Sequence, residues 1–266
     1  MATKPDKEDV LADISVRHAD LADRGVLITG GGSGIGAALV EGFAVQGARV
    51  AFIDIADEPS RELAERLSET ARHPVLYLKA DLRNVAETKA AVDRAAQELG
   101  SLSVLVNNAG WDDRHEFETV TEEYWDNAQA INIKQMFFVS QAAVPHLRKA
   151  GGGAIVNFSS IAYLLNMGGL PAYATAKAGI IGLTKSLAGK LGPENIRVNA
   201  ILPGMIVTER QKKLWLSDDS ITAMVARQSL KRVLVAEDLV GPSLFLASNA
   251  SAAMTAQTII VDGGAL

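Results

Sequence analysis

Tyr173 and Lys177 stand four residues apart in Tyr173 to Leu191, a segment rich in Ala, Gly and Ile that predicts a helix. Residues at i and i+4 project from one helix face. A phenol with a reference pKa of about 10 is a poor base at neutral pH, and a nearby ammonium favours its phenolate. A shift of about three units corresponds to roughly 4 kcal/mol. Such pairs usually decorate a surface. Here Ser159-Ser160 close an apolar run, Ala154 to Phe158, just before the loop that leads into that helix. Hydroxyl, phenol and ammonium at one strand end are groups that move a proton to or from a substrate oxygen.

A second chemical stretch is Leu27-Ile28-Thr29-Gly30-Gly31-Gly32-Ser33-Gly34-Ile35-Gly36. An apolar run ends in a glycine-rich turn, and Ile35 to Gln46 then reads as a helix. Gly30, Gly34 and Gly36 leave no Cβ where a strand swings sharply into a helix, so a pyrophosphate can approach the backbone. The helix N-terminus supplies free N–H groups and a positive dipole end. An ordinary loop is the plain alternative. Against it, Val50 to Asp54 follows as a buried strand ending in an acid, spaced as a dinucleotide site requires for a ribose diol.

The elements that carry these groups alternate almost to the end of the chain. Strands are expected at Gly25 to Thr29, Val50 to Asp54, Val75 to Lys79, Val104 to Val106, Ala154 to Phe158, Ile196 to Leu202 and Thr258 to Asp262. Helices are expected at Ile35 to Gln46, Glu58 to Ala71, Asn84 to Leu99, Thr121 to Ala142, Tyr173 to Leu191 and Ala236 to Leu246. Thr208 to Gln228 reads as helical with an interruption around Ser217-Asp218-Asp219. Continuous apolar strands between helices predict an α/β fold, a doubly wound parallel sheet with helices on both faces and ligands at the strand carboxyl ends. Residues 1–20 read as a polar tail, and 21–266 as one domain with a small substrate lobe around 205–230.

Composition narrows the function. Of 266 residues, 48% are hydrophobic and 21% charged, which suits a globular core. A net charge of −5 offers no basic footprint for nucleic acid or an anionic membrane. There are no cysteines, hence no thiolate nucleophile or thiolate metal site. His18, His73, His115 and His146 show no ligand spacing, so no metal is expected. No apolar stretch has the length of a signal or membrane span, and a cytoplasmic location is expected.

With Thr29-Gly30, Gly34, Gly36, Asn107-Asn108-Ala109-Gly110, Ser160, Tyr173, Lys177 and Pro203-Gly204 in this order, the chain resembles the short-chain dehydrogenase/reductase family from Gly25 to Gly264. The resemblance implies a Rossmann fold with Tyr173 as acid/base. Lys177 would hold the nicotinamide ribose and lower the Tyr173 pKa. Ser160, rather than Ser159, would bind the reacting oxygen, and Asn132 would kink its helix and hold a proton-relay water. Cofactor contacts are implied at Gly30, Ser33, Gly34, Ile35, Gly36, Asp54, Asp81, Leu82, Asn108, Ala109, Gly110, Pro203, Gly204, Ile206 and Thr208, besides Tyr173 and Lys177. Asp54 accepts from two ribose hydroxyls but repels a 2′-phosphate, which favours NAD over NADP. Arg49, after a loop movement, would leave NADP open.

Asn107 to His115, Tyr124-Trp125-Asp126, Phe52 to Glu58 and Thr208 to Gln211 before Trp215 look like family members that oxidise aldoses at C1, such as D-xylose, L-arabinose and galactose dehydrogenases. The resemblance implies a sugar substrate, extending to L-fucose, that loses hydride from C1 to give an aldonolactone. A buried sugar needs fixed hydrogen bonds and an aromatic or apolar wall. Asp112, His115, Ser160, Asn166, Gln211 and Trp215 are the candidates, with a salt-bridged loop or subunit contact the alternative for Asp112 to His115. Trp111 departs from the small or polar residue expected after Gly110. A carbonyl or 3-oxoacyl reductase of the same family and a non-enzymatic nucleotide-binding protein are the rival readings. A homotetramer is implied.

Overall fold

The computed structural model describes residues 17–266, and most of the expected tail over 1–20 lies outside them. The described end of that segment belongs to the fold. Ala19–Leu21 form a 3-10 turn, Leu21 is buried, and Asp20 accepts the Asn249 N–H at 2.9 Å. A boundary after Asp20 therefore cuts through a folded turn.

Among the described residues, seven parallel strands make one sheet: β1 (Gly25–Thr29), β2 (Arg49–Asp54), β3 (Leu76–Lys79), β4 (Val104–Asn107), β5 (Gly153–Phe158), β6 (Ile196–Pro203) and β7 (Thr258–Val261). Their order is β3-β2-β1-β4-β5-β6-β7. The helices are α1 (Gly34–Val45), α2 (Asp57–Ser68), α3 (Val85–Leu99), α4 (Glu122–Gln129), α5 (Gln135–Lys149), α6 (Pro171–Leu191), α7 (Glu209–Leu214), α8 (Asp218–Arg227) and α9 (Val240–Ala247).

Strand residues alternate between two cores. Ile28, Phe52 and Val106 pack with Phe43 of α1 and Leu244 of α9. Leu27, Ile53 and Leu105 pack with Val92 of α3, Leu147 of α5 and Leu191 of α6. Burial on both faces explains why the strands read as unbroken apolar runs. The order of winding reverses between β1 and β4, so the connections after these strands part to opposite faces and open a crevice at their carboxyl ends.

Several helix boundaries differ from the sequence expectation. The single helix expected over Thr121 to Ala142 is divided into α4, a π turn at Ala130–Lys134, and α5, which continues past Pro145 to Lys149. Pro145 is tolerated because it and Gln141, whose carbonyl it cannot bond, lie on the solvent side of α5. The helix expected from Tyr173 begins at Pro171, whose fixed φ and missing N–H suit the first helical position. The interruption expected around Ser217 falls between α7 and α8, where Ser217 and Ser220 form a capping box. Ala236–Leu239 is a 3-10 turn, and α9 follows it.

Candidate active site

Gly30 and Gly34 adopt φ of +67° and +53°, the left-handed region that glycine enters without strain. A Cβ on Gly36 would lie 1.8 Å from the Gly30 carbonyl oxygen, so strand end and helix start can cross this closely only at glycine. Ser33 is the N-cap of α1, yet its side chain makes no capping bond. The first-turn N–H groups are thus left to an anion, and the cradle fits a dinucleotide pyrophosphate. At the end of β2, Asp54 accepts the Gly32 N–H at 2.8 Å and the Ala56 N–H at 2.9 Å. Its carboxylate is held beside the turn.

The rim of the crevice is built the same way. Thr29 Oγ1 accepts the N–H groups of Asn108 and Ala109 at 3.1 Å, and Asn108 Nδ2 donates to the Thr29 and Gly30 carbonyls at 3.0 Å. These bonds lock β1 to β4 where the strand order reverses. Arg83 grips Asp81 at 2.7 Å and holds its carboxyl below the usual range, while Leu82 is buried beside it. Past Pro203, Gly204 N–H donates to Val261 at 2.9 Å, and a Cβ there would lie 2.7 Å from the Asp262 Cα. Ile206 is buried and bridges to Leu234. Thr208 caps α7, and its methyl lies 3.4 Å from where a Gly34 Cβ would be. Arg49 falls at the opposite end of β2, bonded to the Leu99 carbonyl at 3.3 Å, roughly 17 Å of strand away from Asp54. The phosphate route through Arg49 is therefore removed.

Ser160, Tyr173, Lys177 and Asn132 converge beyond β4 and β5. The two serines separate cleanly. Ser159 is buried and donates to the Lys177 carbonyl at 2.7 Å. Ser160 Oγ accepts the Ala162 N–H at 3.1 Å and lies near enough to the Tyr173 hydroxyl to favour its ionised form. Lys177 is buried, with Nζ donating to the Phe158 carbonyl at 3.0 Å and 5.3 Å from the Tyr173 ring centre. Burial pulls the Lys177 ammonium down to about 8, against the attraction of Asp112. Tyr173 is pushed up, first by burial and then by the Asp112 charge, and the nearby Ser160 hydroxyl and Arg210 oppose this. The expected lowering of Tyr173 by Lys177 is not among these influences. Its counterweights come from Ser160 and the far wall.

Asn132 sits in the π turn and both its amide hydrogens are spent, on the Trp111 carbonyl and the Ala128 carbonyl at 2.9 Å. Its Oδ1 accepts the Trp111 N–H at 2.8 Å. The side chain thereby clamps the loop that follows β4. Trp111 itself is 37% exposed.

Asp112, Gln211 and Trp215 come together. Gln211 and Arg210 both donate to the Asp112 carboxylate, Arg210 at 2.9 Å. The Arg114 guanidinium lies 5.7 Å from the Trp215 ring centre, and the Trp215 indole N–H is enclosed without a protein partner. Asn166 is exposed in the loop before α6. His115 is placed differently from the expected sugar ligand. Its Nε2 accepts the Ala172 N–H at 3.3 Å, and its Nδ1 meets the Tyr124 hydroxyl at 2.8 Å. Both ring nitrogens are engaged, and His115 braces the start of α6.

Sequence reasoning missed Arg210, Arg83 and the buried chain Ser140–Asn107–Asn157–Thr184, with links of 2.9 to 3.0 Å. A polar residue inside each of two apolar strands was the available signal for that chain. The site can hold a dinucleotide against α1 and move a proton at a substrate oxygen between Ser160 and Tyr173.

A family profile described as enoyl-(acyl carrier protein) reductase matches residues 30–265, over the same span that carries these groups. The chain belongs to the short-chain dehydrogenase/reductase family. It is an oxidoreductase, and members of this family use a nicotinamide cofactor. The chain is 65% identical over 250 residues to the probable galactose dehydrogenase of Rhizobium meliloti, covering 94% of this chain and 98% of that protein. It is 45% identical over 250 residues to D-xylose 1-dehydrogenase of Caulobacter vibrioides, with the same coverage of 94% and 98%. A solved short-chain type dehydrogenase/reductase from Mycobacterium ulcerans superposes with a TM-score of 0.87 at 30% identity, covering 92% of this chain and 90% of the other.

Proposed function

We propose that this enzyme oxidises C1 of an aldopyranose of the L-arabinose, D-xylose, D-galactose or L-fucose type to an aldonolactone, with NAD as acceptor and Tyr173 as base. The observation that carries the reading is the meeting of Ser160 and Tyr173 with a polar wall, Asp112 and Gln211, and the unpartnered Trp215 indole N–H. A substrate with many hydroxyls suits such a polar wall, and a bare acyl chain leaves the Trp215 N–H unpaired. The printed activities of the galactose and xylose relatives support the same class.

Bound at the glycine-rich turn, the nicotinamide cofactor supplies the hydride acceptor. Ser160 orients the anomeric hydroxyl and Tyr173 takes its proton, while Lys177 holds the ribose end and Asn132 keeps the loop after β4 in place. Asp54 supports NAD, since it offers two oxygens to a ribose diol and no Lys or Arg stands in residues 30–36.

The helices α7 and α8 serve as the substrate lobe. Half-exposed Trp125 and Phe137 on α4 and α5, with Leu230 and Ile260 beside the β7 edge, support a homotetramer. A cysteine-free chain suits a cytoplasmic setting.

The test follows nucleotide reduction with NAD and then NADP on L-arabinose, D-xylose, D-galactose, L-fucose, L-rhamnose and D-glucose. Strong turnover of one or two sugars with NAD is expected. Silence on all sugars with turnover of simple carbonyl or oxoacyl substrates overturns the sugar assignment.

A further inference from the structure

Asp112 stands where two parts of the site meet. Two residues earlier, a Cβ on Gly110 would come within 3.2 Å of Lys177 Nζ and 3.1 Å of Asn132 Oδ1. Asn132 holds Trp111 by both its N–H and its carbonyl, at 2.8 and 2.9 Å. The root of the Asp112 side chain is thereby anchored beside the catalytic pair, and the side chain is only 19% exposed.

From the far side of the cleft, two consecutive residues of α7 reach the same carboxylate. Arg210 Nη1 donates to Oδ1 at 2.9 Å, and Gln211 Nε2 donates to Oδ2. The helix α7 buries none of its own residues, so it has no apolar anchor on the body of the protein. Its ties are the Thr208 cap at one end, the Arg114–Trp215 stacking at the other, and the two bonds to Asp112 between them.

We propose that Asp112 is a positioning residue that couples closure of α7 to the readiness of Tyr173. With α7 down, Arg210 and Gln211 neutralise and hydrogen-bond the carboxylate. With α7 lifted, the uncovered anion faces the phenol and holds its proton in place.

The charges that face Tyr173 support this arrangement. Lys177 is on its own helix, Ser160 lies after β5, Asp112 lies after β4, and Arg210 sits on α7. The Asp112 charge raises the phenol and Arg210 lowers it, the signs the coupling requires. The Asp112 carboxylate is mostly enclosed, so its charge is screened less than one at the open surface. The base is then ready only when substrate is enclosed. The inference rests on Tyr173 as the base and holds for any alcohol this site oxidises.

The test needs no substrate. The chain has four tyrosines, so 13Cζ-tyrosine NMR of the enzyme with oxidised dinucleotide bound resolves the Tyr173 signal, identified by its loss in Tyr173→Phe. Asp112→Asn is expected to raise the phenolate fraction at every pH at which the protein stays folded, a displacement of about one pH unit. Arg210→Gln is expected to lower it, Arg210→Lys to restore it, and Arg210→Gln to have a clearly smaller effect in the Asp112→Asn background, where only the direct Arg210 charge is lost. A purely structural contact would lower the melting temperature of both single variants and leave the Tyr173 titration unmoved, which overturns the proposal. So does an Arg210→Gln effect that persists undiminished in the double variant, or a Tyr173 signal in Asp112→Asn no more ionised than in wild type.

Discussion

At the scale of single residues, the site is a balance of two depressed or opposed ionisations. Tyr173→Phe removes the proton acceptor and leaves the phosphate cradle intact. Turnover should fall by at least about a hundredfold, with dinucleotide affinity by calorimetry nearly unchanged. Lys177 offers a second check. Burial pulls it down to about 8 from the ordinary 10.5, so between these values the unfolded chain binds the extra proton. Stability relative to Lys177→Met should therefore rise between pH 8 and 10.5, read as the difference between the two melting temperatures without cofactor. A flat difference would show the ammonium to be solvated. Trp215→Phe keeps the ring and removes the indole donor, so KM for the preferred sugar should rise about tenfold while kcat changes little. The Tyr–Lys pair was legible in the sequence because it needs only helical spacing. The direction of the Tyr173 shift was not, since it depends on Asp112 and Arg210, brought in from other elements.

At the scale of elements, the π turn and the buried polar chain do the positioning. The π turn divides what the sequence presents as one helix, because a breaker-free stretch carries no local mark of an inserted residue. Its consequence is the Asn132 side chain directed at Trp111, which fixes the loop after β4. Beneath the site, Asn157 accepts from Asn107 at 2.9 Å and donates to Thr184 at 2.9 Å, joining β4, β5 and α6. Asn157→Ala strands one Asn107 amide hydrogen and the Thr184 hydroxyl in a dry interior. It should cost about 2–3 kcal/mol, seen as a lower urea midpoint with an unchanged slope. The strands, by contrast, were legible to within a residue or two, since burial on both faces demands continuous apolar runs.

At the scale of the whole molecule, the reversal of strand order opens the crevice, and opposite ends of each strand acquire opposite roles. Asp54 is at the carboxyl end of β2, inside the crevice, while Arg49 is at the other end against Leu99. Asp54→Ala should therefore weaken NAD by more than NADP in parallel titrations. Equal losses would reject the ribose role. Sedimentation should find a tetramer, and Ile260→Lys at the β7 edge should reduce it to a smaller species if that edge is a subunit contact.

What the chain settles by itself is local. The glycine-rich turn, the acid after β2, the helical spacing of Tyr173 and Lys177, and the strand–helix alternation each lie within one or two consecutive elements. Hydrophobic period and glycine geometry report on that range directly. The family resemblance singles out Ser160 over Ser159, and the packing of α6 against β5 supplies a physical ground by committing Ser159 to the Lys177 carbonyl. The wall opposite the base needed more. Arg210 and Gln211 meet Asp112 across 98 and 99 residues of sequence, and His115 finds Ala172 across 57. Contacts between loops at that separation follow from how the sheet is wound, and no pattern within either loop encodes its partner.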